Sequence, residues 1–342
     1  MDRKTTFGCL FGTAFGDALA APTEFLSINE ILKQWPPNGP QSLSSDHRTV
    51  TDDTQMALAV GEALVMAHKH GPFSIETVEP ALRTAFITWL RSPDNNRAPG
   101  MTCIQACERL AGHEPWLTAS NRSSKGCGAN MRVAPIGLLS DTWPGADAQT
   151  RSALAQFQAA MTHGHPTALA ASDLTAFSVR YLAQKRDPVK LLEETRDYAL
   201  SQRSIYHYDW LGPLWERPGK ETPESFIALG WDECLLIIDR IEAALRQKML
   251  EQDPCLVIGA GWVAEEAYGT GLYCFLINPD DPVAAIRRAA LTSGDSDSIA
   301  CLTGAFAGAY LGMDYWPKEW FQIIEYKERL GLLAEAMTDQ AQ

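Results

Sequence analysis

Gly294-Asp295-Ser296-Asp297-Ser298-Ile299-Ala300-Cys301-Leu302-Thr303-Gly304-Ala305-Phe306-Ala307-Gly308-Ala309-Tyr310 is the stretch on which the fold turns. Ile299, Leu302, Phe306, Ala309 and Tyr310 recur at helical spacing, and Gly304 and Gly308 open one face to close packing. Hard oxygen donors crowd the start of this helix, from Thr292 to Ser298. The same plan appears upstream, where Thr51-Asp52-Asp53-Thr54 precedes Met56, Ala59, Val60, Ala63, Leu64 and Ala67 at helical period. A third helix carries Phe7, Leu10, Phe11, Ala14 and Ala18, with Gly8, Gly12 and Gly16 as a small-residue stripe on the adjoining face. Further helices are predicted at about 76–91, 100–111, 148–163, 166–184, 188–201, 222–248, 260–277 and 281–291, separated by Pro, Gly and Asn. Strand signals are sparse. The expectation is an all-α fold, one compact multi-helix domain over residues 1–342, with the irregular stretch Trp210 to Pro223 as a long loop over a site.

Composition sets the class. The 342 residues are 46% hydrophobic, ample for a core, and the net charge of −13 argues against general nucleic-acid binding, which draws on clustered Lys and Arg. Eight cysteines at irregular spacing form no dense disulfide framework, which fits a reducing compartment. The first residues lack a secretory pattern, and no apolar run reaches membrane-spanning length. A soluble cytoplasmic protein with no membrane partner is expected.

The two acidic clusters carry the chemistry. Aspartates converging on one pocket repel one another and raise their own pKa values unless a divalent cation neutralises them. Asp, Thr and Ser oxygens are hard ligands, so Mg²⁺ or Mn²⁺ suits them better than zinc. The bland alternative is that Thr51 and Ser296 are ordinary N-caps, followed by first-turn acids that the helix dipole favours.

Taken together, Gly12-Thr13-Ala14-Phe15-Gly16-Asp17-Ala18-Leu19 with Glu24, Thr51-Asp52-Asp53-Thr54, Ser124-Lys125-Gly126-Cys127-Gly128-Ala129-Asn130-Met131-Arg132-Val133-Ala134-Pro135, Thr162-His163 and Gly294 to Ala300 with Thr303-Gly304-Ala305 come in a family's order. The chain resembles the ADP-ribosylglycohydrolases, the group that includes the dinitrogenase-reductase-activating glycohydrolase, over nearly its whole length. The resemblance implies an all-helical fold with two Mg²⁺ (or Mn²⁺) ions in a cleft, and hydrolysis of the glycosidic bond joining ADP-ribose to a protein side chain or small acceptor. It places Thr51, Asp52 and Asp53 in one half of the metal shell and Asp295, Asp297 and Ser298 in the other, with Ser298 where Thr is more usual.

Glu24 is the residue expected to protonate the leaving group or orient water, with Asp53 as the alternative base. The loop of Ser124, Gly126, Cys127 and Gly128 is expected to wrap the diphosphate through backbone N–H groups. Cys127 stands where many relatives carry Asn, and its backbone is given the role rather than its thiol. His163 is preferred to His165 as a contact to the pyrophosphate or distal ribose. Tyr206, Trp210, Trp262 and Tyr268 are aromatics able to stack on adenine, though burial is the default for each. Some relatives carry Asp-Ile-Gly where this chain has Arg97-Ala98-Pro99-Gly100-Met101-Thr102, so a third carboxylate is unsupported there, and the register of Asp94 does not fit.

The function so implied is removal of ADP-ribose from a modified side chain, arginine first, and in one use reversal of, or immunity to, a cognate ADP-ribosyltransferase toxin. Two other classes compete: a two-metal phosphohydrolase acting on a nucleotide-sugar, and a non-catalytic ADP-ribose-binding protein.

Overall fold

The glycine stripes expected on two helices meet each other. In the computed structural model, which describes residues 1–219 and 221–338, α1 (Arg3–Ala20) lies along the glycine face of the helix Ser296–Leu311. A Cβ at Gly304 would stand 1.9 Å from the Gly12 carbonyl oxygen, one at Gly308 1.9 Å from that of Gly8, and one at Gly16 1.9 Å from that of Ala300. The pairing of 8 with 308, 12 with 304 and 16 with 300 makes the two helices antiparallel. Only glycine allows backbones this close. The consequence reaches the site: the C-terminal end of α1 meets the N-terminal end of its partner, where Ser296 Oγ lies 2.9 Å from Thr23 Oγ1.

Around this pair the longer helices follow as α2 (Ile28–Gln34), α3 (Asp52–Lys69), α4 (Ile75–Leu90), α5 (Met101–Ala111), α6 (Ala148–Ala160), α7 (Pro166–Ala183), α8 (Leu191–Gln202), α9 (Pro223–Arg246), α10 (Ala264–Leu276), α11 (Pro282–Ala290), α12 (Ser296–Leu311) and α13 (Lys327–Met337). Among the described residues there is no strand, only three isolated bridges. The all-α expectation holds. α1, α7, α10 and α12 are buried along nearly their whole length, so these four form the centre and the other helices wrap them. Among the described residues no helix is long and apolar enough to cross a membrane.

The predicted bounds fail in two informative places. The helix expected over 148–163 stops at Ala160: Thr162 N and His163 N both still donate to Ala159 O, but Asn121 N takes Thr162 O and Gly164 N donates to Asn121 O, so the chain leaves the helix there. The helix expected over 260–277 begins at Ala264: Gly261 takes a positive φ of 86°, Asp295 N donates to Ala260 O, and Cys127 N donates to Trp262 O. Ser296 is not an N-cap either. Asp295 holds that position, and the Ser296 side chain faces α1 instead. The stretch after Trp210 contains a turn of helix to Leu211 and a tight turn Gly212–Trp215, and Arg217 fastens it to the carbonyls of Arg122 and Gly164; residue 220 lies outside the described residues.

Candidate active site

The α1–α12 register brings Asp17 and Glu24 to Asp295 and Asp297, and Asp17 then fixes α3. Its carboxylate, fully buried, accepts from Thr51 N (3.0 Å), Thr51 Oγ1 (2.8 Å), Thr54 N (3.1 Å) and Thr54 Oγ1 (2.5 Å). Four donors at a helix N-terminus suit an anion, yet burial outweighs them and pushes Asp17 up to about 6. Asp17 thus orients Thr51-Asp52-Asp53, and the Thr51 hydroxyl also caps Asp53 N at 3.3 Å. Sequence reading placed Asp17 in a motif without giving it a task.

Asp52, Asp53, Asp295 and Asp297 are each 7% exposed or less, and with Glu24 and Ser298 they line one cleft of about 310 Å³. Glu24, Asp295 and Asp297 each offer an oxygen within 4.8 Å of the others. Burial, then the charges of Asp295 and Asp52, raises Glu24 to about 8, and burial raises Asp52 to about 7 although Gly100 N donates to it. Asp53 and Asp297 are driven well above the carboxylate range by burial and by neighbouring acids. Asp53 Oδ1, buried, has no hydrogen-bond partner at all. A buried carboxylate oxygen left unpaired among other acids is costly. Hard donors, crowded like charge and an orphaned oxygen are together what a divalent cation satisfies, so these residues fit one. A larger groove of about 480 Å³ between α3 and α4 holds no such convergence, and Glu62 on its wall is paired with Arg329. Size does not locate the chemistry here.

The glycine-rich turn forms the opposite wall. Cβ atoms at Gly126 and Gly128 would come within 3.2 Å of the His163 ring, so both glycines make room for it. Arg132, completely buried, donates to Thr162 Oγ1 at 2.8 Å, and that hydroxyl lies 2.8 Å from His163 Nδ1 and 3.5 Å from Ala159 O. With the hydroxyl donating to Nδ1, the shorter of its two contacts, the neutral ring carries its proton on Nε2, the atom that faces Gly126. Burial, then Arg132, lowers His163 to about 3, so it is a neutral donor at any physiological pH. His165 instead caps α7 through Thr167 N and does not line the cleft.

Several expectations need correction. Cys127 N donates to Trp262 O and Gly126 N to Ser124 Oγ, so these two N–H groups do not point at a diphosphate. The Cys127 side chain, not its backbone, reaches the acids: Sγ donates to Asp295 Oδ2 at 2.7 Å. Burial, then the charges of Asp295 and Asp53, pushes that thiol up, which disfavours the thiolate that a nucleophile needs. Ser124 lies at the edge, its Oγ 3.2 Å from Thr102 Oγ1. Of the four named aromatics only Trp262 lines the cleft. Tyr268 is core, Trp210 packs on Phe157, and the Tyr206 hydroxyl donates to Gly212 O. Sequence reading missed Phe25, which takes a left-handed φ of 65° directly after Glu24 and stacks on Trp262 at 5.4 Å across the mouth. The segment 97–102 supplies walls and the Gly100 N–H but no acid, and Asp94 is turned away to accept from the Tyr326 hydroxyl.

Comparison with known proteins adds the relationship. The family model described as ADP-ribosylglycohydrolase matches residues 2–342. The chain is 26% identical to human ADP-ribosylhydrolase ARH3, covering 96% of this chain and 92% of that one. It is equally 26% identical to the ADP-ribosyl-[dinitrogen reductase] glycohydrolase of Rhodospirillum rubrum (94% and 90% covered) and to the ADP-ribosylarginine hydrolase Tri1 of Serratia proteamaculans (96% and 78%). A solved chain of an ADP-ribosylglycohydrolase-related protein complex superposes with a TM-score of 0.64 at 22% identity, covering 98% of this chain and 97% of the other, which is a likeness of fold.

Proposed function

Since the chain belongs to the ADP-ribosylglycohydrolase family and is a glycosidic-bond hydrolase by that membership, we propose that it frees ADP-ribose from a modified protein side chain, arginine first, in the cleft between Glu24 and His163. The observation that carries this reading is the convergence of Glu24, Asp52, Asp53, Asp295 and Asp297 in a single cleft opposite a glycine-rich turn. One of the relatives named above, Tri1, is called an ADP-ribosylarginine hydrolase, which favours arginine as the acceptor.

In this reading Thr51, Asp52 and Asp53 on one side and Asp295, Asp297 and Ser298 on the other would hold two Mg²⁺ or Mn²⁺ ions. Bound there, the cations would supply Lewis-acid polarisation of the ribose hydroxyls and of a water. The chain's own groups do the rest. Asp17 holds the start of α3 in place through Thr51 and Thr54. Neutral His163 offers Nε2–H beside the glycine turn, where the diphosphate is expected. Glu24, at the mouth next to the Phe25–Trp262 pair, would hand a proton to the departing side-chain nitrogen as oxocarbenium-like charge builds on the sugar. Asp53 is the alternative base.

The test is incubation of the purified chain with arginine-modified and serine-modified proteins in Mg²⁺ or chelator, beside Asp297→Ala, with chromatography of the products. Cation-dependent release of free ADP-ribose from the arginine substrate, lost in the variant, is expected. AMP with ribose 5-phosphate would replace this reading by phosphoanhydride cleavage, and ADP-ribose binding without release would leave a binding protein. Reversal of a cognate ADP-ribosyltransferase toxin is a use of the same chemistry: co-expression should restore growth with the wild-type chain and not with Asp297→Ala.

A further inference from the structure

Cys127 brings sulfur into a cleft otherwise built of oxygen. Its Sγ lies 2.7 Å from Asp295 Oδ2 and 3.5 Å from Ser298 Oγ, while its own N–H is tied to Trp262 O, so the side chain is aimed by a fixed backbone. The other seven cysteines are buried; Cys103 also lines the cleft, but its Sγ lies against Gly128 O and the Arg132 guanidinium, whereas the Cys127 thiol meets Asp295. A second observation points to a ligand at the same place. Asp53, 2% exposed, lines the cleft, and its Oδ1 has no partner.

Donor chemistry decides which ion such a set prefers. All-oxygen shells suit Mg²⁺ and Mn²⁺, whereas a thiolate beside a carboxylate selects zinc or a still softer cation. We propose that Cys127, Asp295 and Ser298 form a site for a thiophilic divalent cation such as Zn²⁺ or Cd²⁺, which competes for Asp295 and Ser298 with the hard cations of the hydrolase. The competition rests on the proposed function; the site itself rests on the three side chains. On binding, the bond from the cation to Sγ forms as the S–H bond breaks. The proton leaves to solvent and the metal stays divalent. The thiolate and the Asp295 carboxylate then balance the two positive charges. In the cation-free chain the same thiol donates its proton to Asp295.

The full chain, stripped with chelator, is titrated with Co²⁺ and Cd²⁺ and read by the near-ultraviolet thiolate-to-metal charge-transfer band. The band should saturate near a stoichiometric amount of cation, move to higher concentrations in excess Mg²⁺, and be absent in Cys127→Ser. A rise in unfolding temperature with Co²⁺ but no band would overturn the inference, since carboxylates alone would then hold the ion. A band that persists in Cys127→Ser would overturn it too. Alkylation of the wild-type chain by iodoacetamide, read at Cys127 by peptide mass, needs no variant: Cd²⁺ should protect the thiol, and equal labelling with and without it refutes the site. ADP-ribose release by the same preparation in Mg²⁺ separates the two readings. Release without a band removes this site only, and a band without release supports it while removing the hydrolase.

Discussion

Gly304→Ala tests whether the glycine contact between α1 and α12 sets both the fold and the site. The new Cβ would stand 1.9 Å from the Gly12 carbonyl oxygen. Van der Waals contact begins near ~3.5 Å, so the backbones would have to part by roughly 1.5 Å. The atom struck is backbone, which no rotamer change can move. Overpacking of this kind costs about 1–3 kcal/mol and more where nothing yields, against a gain of about 1 kcal/mol from replacing glycine in a helix. The net expectation is a loss of about 2 kcal/mol or more. Gly331→Ala is the matched control, because it lies within α13 and its Cβ would meet nothing within 4 Å; it should gain roughly 0.5–1 kcal/mol. Urea unfolding of both variants, followed by far-ultraviolet circular dichroism, gives the comparison. Since Asp295 and Asp297 ride on the displaced helix, Gly304→Ala should also weaken the stabilisation by Mn²⁺, and adding Gly12→Ala should cost less than on the wild-type background. If Gly304→Ala stabilises the chain as Gly331→Ala does, the reasoning from the register is refuted.

Asp297→Asn removes a group that burial and neighbouring acids hold far above the carboxylate range, so the cation-free variant should be more stable than wild type at neutral pH, and it should lose the Mg²⁺-induced rise in melting temperature; thermal scans with and without chelator check both signs. His163, held at about 3 in the folded chain, takes up a proton only on unfolding as pH falls below about 6.5. Its contribution is therefore complete above that pH and is lost towards pH 3, by up to about 1.4 kcal/mol per unit. The stability difference between His163→Gln and wild type should shift in the variant's favour on acidification from pH 6.5 to 4.5, and a difference that is flat with pH would contradict the buried neutral ring. Lys125 bridges Glu233 and Glu265 with its side chain 32% exposed, so solvent screening limits Lys125→Met to a loss of roughly 1–2 kcal/mol. Because Lys125 O also accepts from Ala264 N, the variant should bind ADP-ribose more weakly by calorimetry, and unchanged affinity would show that the turn does not depend on this anchor.

How much of this was legible follows from where each interaction is encoded. Helical period and the glycine stripes are local, so α1, α3 and α12 and the two small faces could be read from Phe7 to Ala18, from Met56 to Ala67 and from Ile299 to Tyr310, whereas that those faces meet each other is a long-range contact. The early end of α6 and the late start of α10 could not, because each is imposed by a partner far along the chain: Asn121 on Thr162, and Asp295 on Ala260. Asp17 hid for the same reason. It sits on an apolar helix with no local acceptor role, and its meaning lies in Thr51 and Thr54, more than 30 positions away. The identity of Cys127 was plain, but not its direction, which depends on the pinning of its N–H by Trp262.

The placement of Arg132 explains why the acids remain available to a cation. This guanidinium is completely buried and close enough to influence the Asp52 carboxyl, yet its hydrogen bonds go to Gln158 Oε1, Gln158 O, Thr162 Oγ1 and the sulfurs of Met56 and Cys103, with Phe86 against its face. No carboxylate is among its partners. Had it formed a bidentate pair with Asp52 or Asp53, the cluster would carry its own counter-charge, and a divalent ion would have to break that pair to enter. Bound to neutral acceptors instead, Arg132 spends its donors on the Thr162–His163 wall and leaves the acids under-neutralised. An under-neutralised buried cluster destabilises the cation-free chain. The rigid contact between α1 and α12, where three glycine-lined crossings hold the helices at backbone distance, keeps Glu24, Asp295 and Asp297 from relaxing apart under that repulsion. Affinity for a cation and strain in its absence are in this chain two consequences of the same register.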